Sequence, residues 1–222
     1  MRKFLVLVVI LAFAFPLQAQ IPFFWSAVNW RALGHLMQQM SELQSRGADF
    51  REAIWGMTQA QIKALEKGKV EAAIHDPTTG LDIIGYKGAA GGLSCNFAFY
   101  FAEDQLVRGR YVFTEKHSSN NTFIVDFSRV KASLTEKYGE PVEDDTHWFN
   151  DLFKDDFSSW GMAIAVGHLW LEAHWVTFET QIMLQLRGDN YEFTHVLEYS
   201  STIEEHEKLV KKTADKAKKG IW

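Results

Sequence analysis

Between His168 and Thr177 the chain alternates apolar and polar side chains almost residue by residue, and that pattern narrows what it can fold into. In an extended strand, successive side chains point to opposite faces. Leu169, Leu171, Ala173 and Trp175 therefore form one apolar face, and His168, Trp170, Glu172 and His174 share the other. A strand of this kind belongs to an antiparallel sheet covered on one side and open on the other. The alternation recurs elsewhere. If Phe97, Phe99 and Phe101 point inward, Tyr100 points out; if Val107, Tyr111 and Phe113 point inward, Arg108 and Arg110 point out. If Ile182, Leu184 and Leu186 point inward, Met183, Gln185 and Arg187 point out.

Between these strands lie stretches with helical signals. Thr58-Gln59-Ala60-Gln61 is a capping box, with Ile62 and Leu65 as the buried stripe behind it and Gly68 as the stop. Phe127, Val130, Leu134 and Tyr138 fall on one helical face, and Gly139 and Pro141 end that helix. Strands are expected at Val70–His75, Leu81–Tyr86, Asn96–Phe101, Leu106–Phe113, Met162–Val176, Gln181–Arg187 and Tyr191–Ser200. Hairpin turns fall at Glu103-Asp104 and Gly188-Asp189-Asn190. Thr202–Lys219 reads as a terminal helix, acidic at its start and lysine-rich at its end, as the helix dipole favours. The sum is an α+β two-layer sandwich, an antiparallel sheet with helices on one face. Helix-then-strands occurs twice, over 50–121 and 122–200, which suggests a diverged tandem repeat within a domain spanning 50–200, followed by a C-terminal helix at 201–222.

The N-terminus reads as an export signal over residues 1–19. Arg2 and Lys3 precede the apolar run Phe4–Phe15, and Pro16 and a small Ala19 follow it. The run is shorter than the roughly 20 apolar residues a spanning helix needs, so cleavage is expected rather than anchoring, and no transmembrane helix should follow it. Residues 20–49 form a separate segment. Trp30, Leu33, Met37, Met40 and Leu43 recur at helical spacing, which fits a helix packed on the body or a peripheral membrane contact by residues 20–47. Net charge is −5, which argues against a general nucleic-acid binder. The single cysteine, Cys95, opens an apolar run without a Cys-His signature and reads as a buried hydrophobe.

The stretch Trp55-Gly56-Met57-Thr58-Gln59-Ala60-Gln61-Ile62 resembles the unit opening of bacterial envelope proteins that pack helices on a small antiparallel sheet. The β-lactamase-inhibitor-protein-like fold and the small lipoprotein of the outer-membrane β-barrel assembly machinery are examples. Leu134…Lys137-Tyr138-Gly139-Glu140-Pro141 is similar to the helix ending of the same units. Trp175-x-Thr177-x-x-Thr180-x-Ile182 and the closing Tyr199-Ser200 resemble uncharacterised exported bacterial proteins. The lipoprotein cysteine is missing here, as is a Gly-x-Pro after the first helix. The resemblance implies a periplasmic or extracellular address and a role in binding or assembly rather than catalysis.

The open face is the place to look for function. Tyr100, Arg108, Arg110, His168, Trp170, Glu172, His174, Met183, Gln185 and Arg187 would share it. Trp, Tyr and Arg dominate the energetics of protein interfaces, so the expected function is non-enzymatic binding of an envelope protein. An ordinary amphipathic sheet would show the same alternation. A small-ligand site for a glycan, lipid or peptide is the first alternative. A hydrolase built on His147 and a nearby Asp is the second. The acidic stretch Glu143-Asp144-Asp145…Asp151…Asp155-Asp156 lacks calcium-loop spacing and reads as a solvated connection. Glu172 and His174 lack a third ligand or a HExxH pattern, so no metal and no cofactor are expected.

Overall fold

The computed structural model describes residues 47–220, which form one compact unit from Ala48 onward. The export signal expected at 1–19 and all but the last residues of the 20–49 segment lie outside the described residues. The elements run α1 (Gln59–Leu65), β1 (Ala72–His75), β2 (Asp82–Ala90), β3 (Leu93–Ala102), β4 (Gln105–Phe113) and α2 (Asn121–Tyr138). There follow β5 (Glu143–Trp148), two short 3₁₀ turns, α3 (Trp160–Ala165), β6 (Leu169–Val176), β7 (Thr180–Asp189), β8 (Glu192–Ser201) and α4 (Glu204–Gly220).

The strands build one eight-stranded antiparallel sheet in the order β1-β2-β3-β4-β8-β7-β6-β5. Each round of the chain is a helix followed by a four-strand meander, and the two meanders join through their last strands, β4 and β8. The architecture is the α+β sandwich that the alternation predicts. Phe97, Phe99 and Phe101 are buried on one face with Leu169, Leu171, Ala173, Trp175, Ile182, Leu184 and Leu186. Ile62 of α1, the Ile124/Phe127/Val130/Leu134 stripe of α2 and Ile164 of α3 complete this core. Each such side chain removed from water stabilises the fold by about 1.5–3 kcal/mol.

Several expectations need correcting. Met162–Val176 is not one strand: Met162–Ala165 belong to α3, and Gly167, at φ +77°, turns the chain into β6. Glu143–Trp148 is not loop but an edge strand, paired with β6 from Glu143↔His174 to Trp148↔Leu169. Its row of charges suits an edge, where it discourages further strand pairing. The β7–β8 turn centres on Asn190-Tyr191, both at positive φ, and not on Gly188. Gly188 lies within β7, where an added Cβ would come within 2.4 Å of the Ile164 carbonyl oxygen. Val107 is the extra residue of a bulge where β4 pairs with β3. It is buried, but in a second small cluster with Leu81 and Ala102 instead of the main core.

That second cluster also corrects the position of the last helix. Leu209 and Val210 of α4 pack against it together with Tyr100, so among the described residues three helices cover one face and α4 covers an end of the other. Lys212 and Lys216 tie α4 to Glu103 in the β3–β4 turn at 3.0 and 2.6 Å.

The capping box is formed as expected. Gln61 N–H donates to Thr58 Oγ1 at 3.3 Å, and Thr58 N–H donates to Gln61 Oε1 at 2.8 Å. Thr58→Ala should lower stability by about 1 kcal/mol, read as a reduced urea midpoint with an unchanged slope.

Candidate functional site

Strand register arranges the open face in rungs. One runs Tyr100–Arg108–Ser200–Gln181, and the next Ala98–Arg110–Glu198–Met183–His174. A third carries Gln185 beside Glu172. Beyond it, Arg187 approaches Trp170 from the neighbouring strand. The register thus brings most of the candidate residues onto one surface, in two groups at either side of Met183.

The first group is Tyr100, Arg108 and Arg110. Both guanidinium carbons lie near the Tyr100 ring, at 5.9 and 5.5 Å from its centroid. Glu198, a residue the sequence reading passed over, pins them. Arg110 Nε donates to its carboxylate at 2.6 Å, and Arg108 lies 3.4 Å away. Burial, the largest single influence, would lower the Arg110 pKa, but the charges and hydrogen bonds of Glu198 and Tyr100 together outweigh it and leave the value raised. Beside this group the surface dips. Ala72, Gly85 and Ala98 stand in register on three adjacent strands, and with Ile83, Tyr100 and Arg110 they bound a depression of about 380 Å³. A Cβ at Gly85 would meet only Ala72 Cβ at 3.5 Å and the Phe97 carbonyl at 3.9 Å. The missing side chain therefore leaves usable room. On the other side, α4 walls the face, leaving a cleft of about 440 Å³ along Arg108, Met183 and Glu198.

The second group is Trp170, Glu172, His174, Gln185 and Arg187. Arg187 lies 5.6 Å from the Trp170 ring centroid, and Phe149 meets the same ring edge-on at 4.8 Å. Phe149, Leu152 and Phe157 are all mostly exposed in the segment that follows β5. His174 Nε2 lies 2.6 Å from Glu172 Oε1, and Gln185 donates to the other carboxylate oxygen. Burial, the largest single influence, opposes the Glu172 charge, but these two hydrogen bonds together with the electrostatic influence of His174 and His147 outweigh it and hold the carboxyl below its ordinary range. His168 sits just before β6 with its ring 5.8 Å from Phe153 and its Nδ1 buried without a hydrogen-bond partner among the described residues. His147, the residue of the hydrolase reading, is 3.9 Å from Asp145 on the exposed edge strand.

A third constellation escaped the sequence reading. His117 Nε2 lies 2.6 Å from the Asp126 carboxylate, which is only 3% exposed. His195 stands nearby on β8, and all three line a cavity of about 570 Å³ where the start of α2 meets the ends of β4 and β8. Two signals were available. Asp126 falls among Phe123, Phe127 and Val130 on the apolar stripe of its helix, and His195 shares the inward face of its strand with Phe193, Leu197 and Tyr199. A polar group at an apolar position marks a place to look.

Cys95 is buried, and burial pushes its thiol up to about 11, which leaves it unreactive. Among the described residues, no three His, Cys, Asp or Glu side chains are placed to share a metal ion, and no helix is long and apolar enough to cross a membrane. No known protein family, curated protein or solved structure matches this chain.

Proposed function

We propose that this chain is an exported, non-enzymatic binding protein of the bacterial cell envelope that engages a protein partner through the open face of its sheet. One observation carries the reading: Tyr100, half-exposed, is flanked by two arginines that Glu198 holds in place beside a depression that the described residues leave unfilled. Ordered aromatic and guanidinium groups lose little side-chain freedom on binding, so more of their contact energy appears as affinity. The depression receives an anchoring side chain of the partner, and the Trp170–Arg187 pair supplies a second contact across the face. The likeness of Trp55–Ile62 to envelope proteins of assembly and inhibition agrees with this role, as does the export signal expected from the sequence of residues 1–19.

The test uses two variants. Gly85→Leu fills the depression, and Trp170→Ala/Arg187→Ala removes the second contact. A partner captured by the wild-type protein from crosslinked envelope extract is purified, and its affinity is measured against all three forms. Each variant should weaken binding by about 2 kcal/mol, a factor of roughly 30, with the thermal midpoint unchanged for Gly85→Leu. Equal affinity for all three forms would remove the open face from consideration.

A further inference from the structure

The cavity at the start of α2 lies on the covered side of the sheet and takes no part in the partner surface. Its volume, about 570 Å³, falls within the roughly 300–1,000 Å³ typical of small-molecule sites. Its walls are aromatic. Phe123 of α2 and Phe193 of β8 stack at 4.0 Å with their planes 10° apart, and Phe113 and Tyr191 add further rings. Among the described residues its ionic lining is mostly acidic, with Glu115, Glu192 and Asp126 against Lys116 and the titratable His117. Asp126 is already engaged by His117, and Arg129 lies 3.6 Å from its other oxygen. Glu115 accepts the Ser94 N–H at 2.6 Å. Glu192 is exposed at the rim.

Among the described residues, one side chain lining this cavity has a buried polar atom without a partner. His195 is 4% exposed, and its Nε2 is buried without a hydrogen bond. Native proteins rarely leave such an atom unsatisfied, and each case asks for a reason. The ring lies 4.3 Å from Phe113, centroid to centroid, in surroundings that keep it uncharged. A neutral imidazole nitrogen can accept a hydrogen bond from an ammonium group.

We propose that this cavity binds a small organic cation, an ammonium group carried on an apolar or aromatic body. The aromatic faces attract the charge through their quadrupoles, a contribution of about 0.5–2 kcal/mol. Glu192 balances the charge at the mouth, and the His195 ring turns to bring its buried Nε2 to the cavity, where it accepts an ammonium N–H. The start of α2 and Lys116 would favour an anion instead, so the decisive comparison is between ligands of one shape and different charge.

Benzylamine, benzyl alcohol and benzoate make that comparison. Each is titrated into the purified protein while the imidazole resonances of His117 and His195, assigned with His→Gln variants, are followed by NMR. Benzylamine should shift both resonances saturably, benzyl alcohol should bind about tenfold more weakly, and benzoate should leave them unmoved. Glu192→Gln should weaken benzylamine severalfold without changing the thermal midpoint, since its side chain is exposed. Binding of benzoate equal to or tighter than that of benzylamine would overturn the proposal in favour of an anion site. Equal binding of benzyl alcohol, or no saturable shift with any probe up to its solubility limit, would overturn it as well.

Discussion

Gly109→Ala is expected to destabilise the protein by about 3 kcal/mol or more, a large effect for one methyl group. Gly109 lies within β4 between Phe99 and Tyr199 on its neighbouring strands, on the face that meets the core. A Cβ there would stand 2.2 Å from the Phe50 ring. That ring has nowhere to retreat. It is 1% exposed, and the centroids of Phe99, Tyr111 and Tyr199 lie at 5.2, 4.9 and 5.5 Å. Glycine usually weakens a strand interior; where it persists, another group has come close to the backbone. Here that group is Phe50, which fills the vacancy above the strand. Phe50→Ala alone should cost about 3–5 kcal/mol through the cavity it leaves. In that background the added methyl meets empty space, so Gly109→Ala should cost little more. Urea unfolding of the two single variants and the double variant should therefore show a coupling of about 2–3 kcal/mol. Strict additivity would mean that the ring and the glycine do not constrain each other.

How much of this was legible in the sequence depended on how local each feature is. The inward Phe97/Phe99/Phe101 set and the Leu169–Trp175 alternation could be read directly, because a half-buried strand writes its burial into every second residue. The capping box at Thr58 could be read for the same reason, since its partners are three residues apart. Helix α3 could not. Its six residues are too few to show a helical period, and Met162–Ala165 run on as apolar residues toward β6. Edge strand β5 has five of its six residues exposed, so no alternation marks it, and its partner β6 defines it. The grip of Glu198 on Arg110 spans 88 residues and exists only because β4 pairs with β8. The fold was therefore legible in outline. The candidate site was legible as a face, but the residue that organises it was not. The cavity around Asp126 and His195 lay between these cases: two polar residues at apolar positions were visible, but their meeting needed the tertiary structure.

His195→Leu is expected to flatten the acid side of the stability curve. Burial against Phe113 and Phe127, at 4.3 and 6.1 Å between ring centroids, lowers the His195 pKa to about 4, and the nearby Asp126 charge only partly opposes this. Once unfolded, the imidazole returns to its ordinary value of about 6.5. Between these two values the unfolded chain holds a proton that the folded chain does not, so stability must fall as pH falls. The folded state keeps its full advantage above about pH 6.5 and loses about 1.4 kcal/mol for each pH unit on the way down, roughly 3 kcal/mol in all by pH 4. Below that the native imidazole is also protonated, and this contribution levels off. Leucine has no proton to take up and places apolar atoms where Nε2 lacks a partner, so the variant should match or exceed the wild type at neutral pH. The difference between the two urea stabilities, measured from pH 7.5 to 3.5, isolates this histidine, because the surface carboxylates titrate alike in both proteins. It should be flat above about 6.5, widen in favour of the variant down to about 4, and then level off. Parallel curves would instead mean that His195 takes up its proton in the folded protein as easily as in the unfolded chain, which a ring held neutral by burial cannot do.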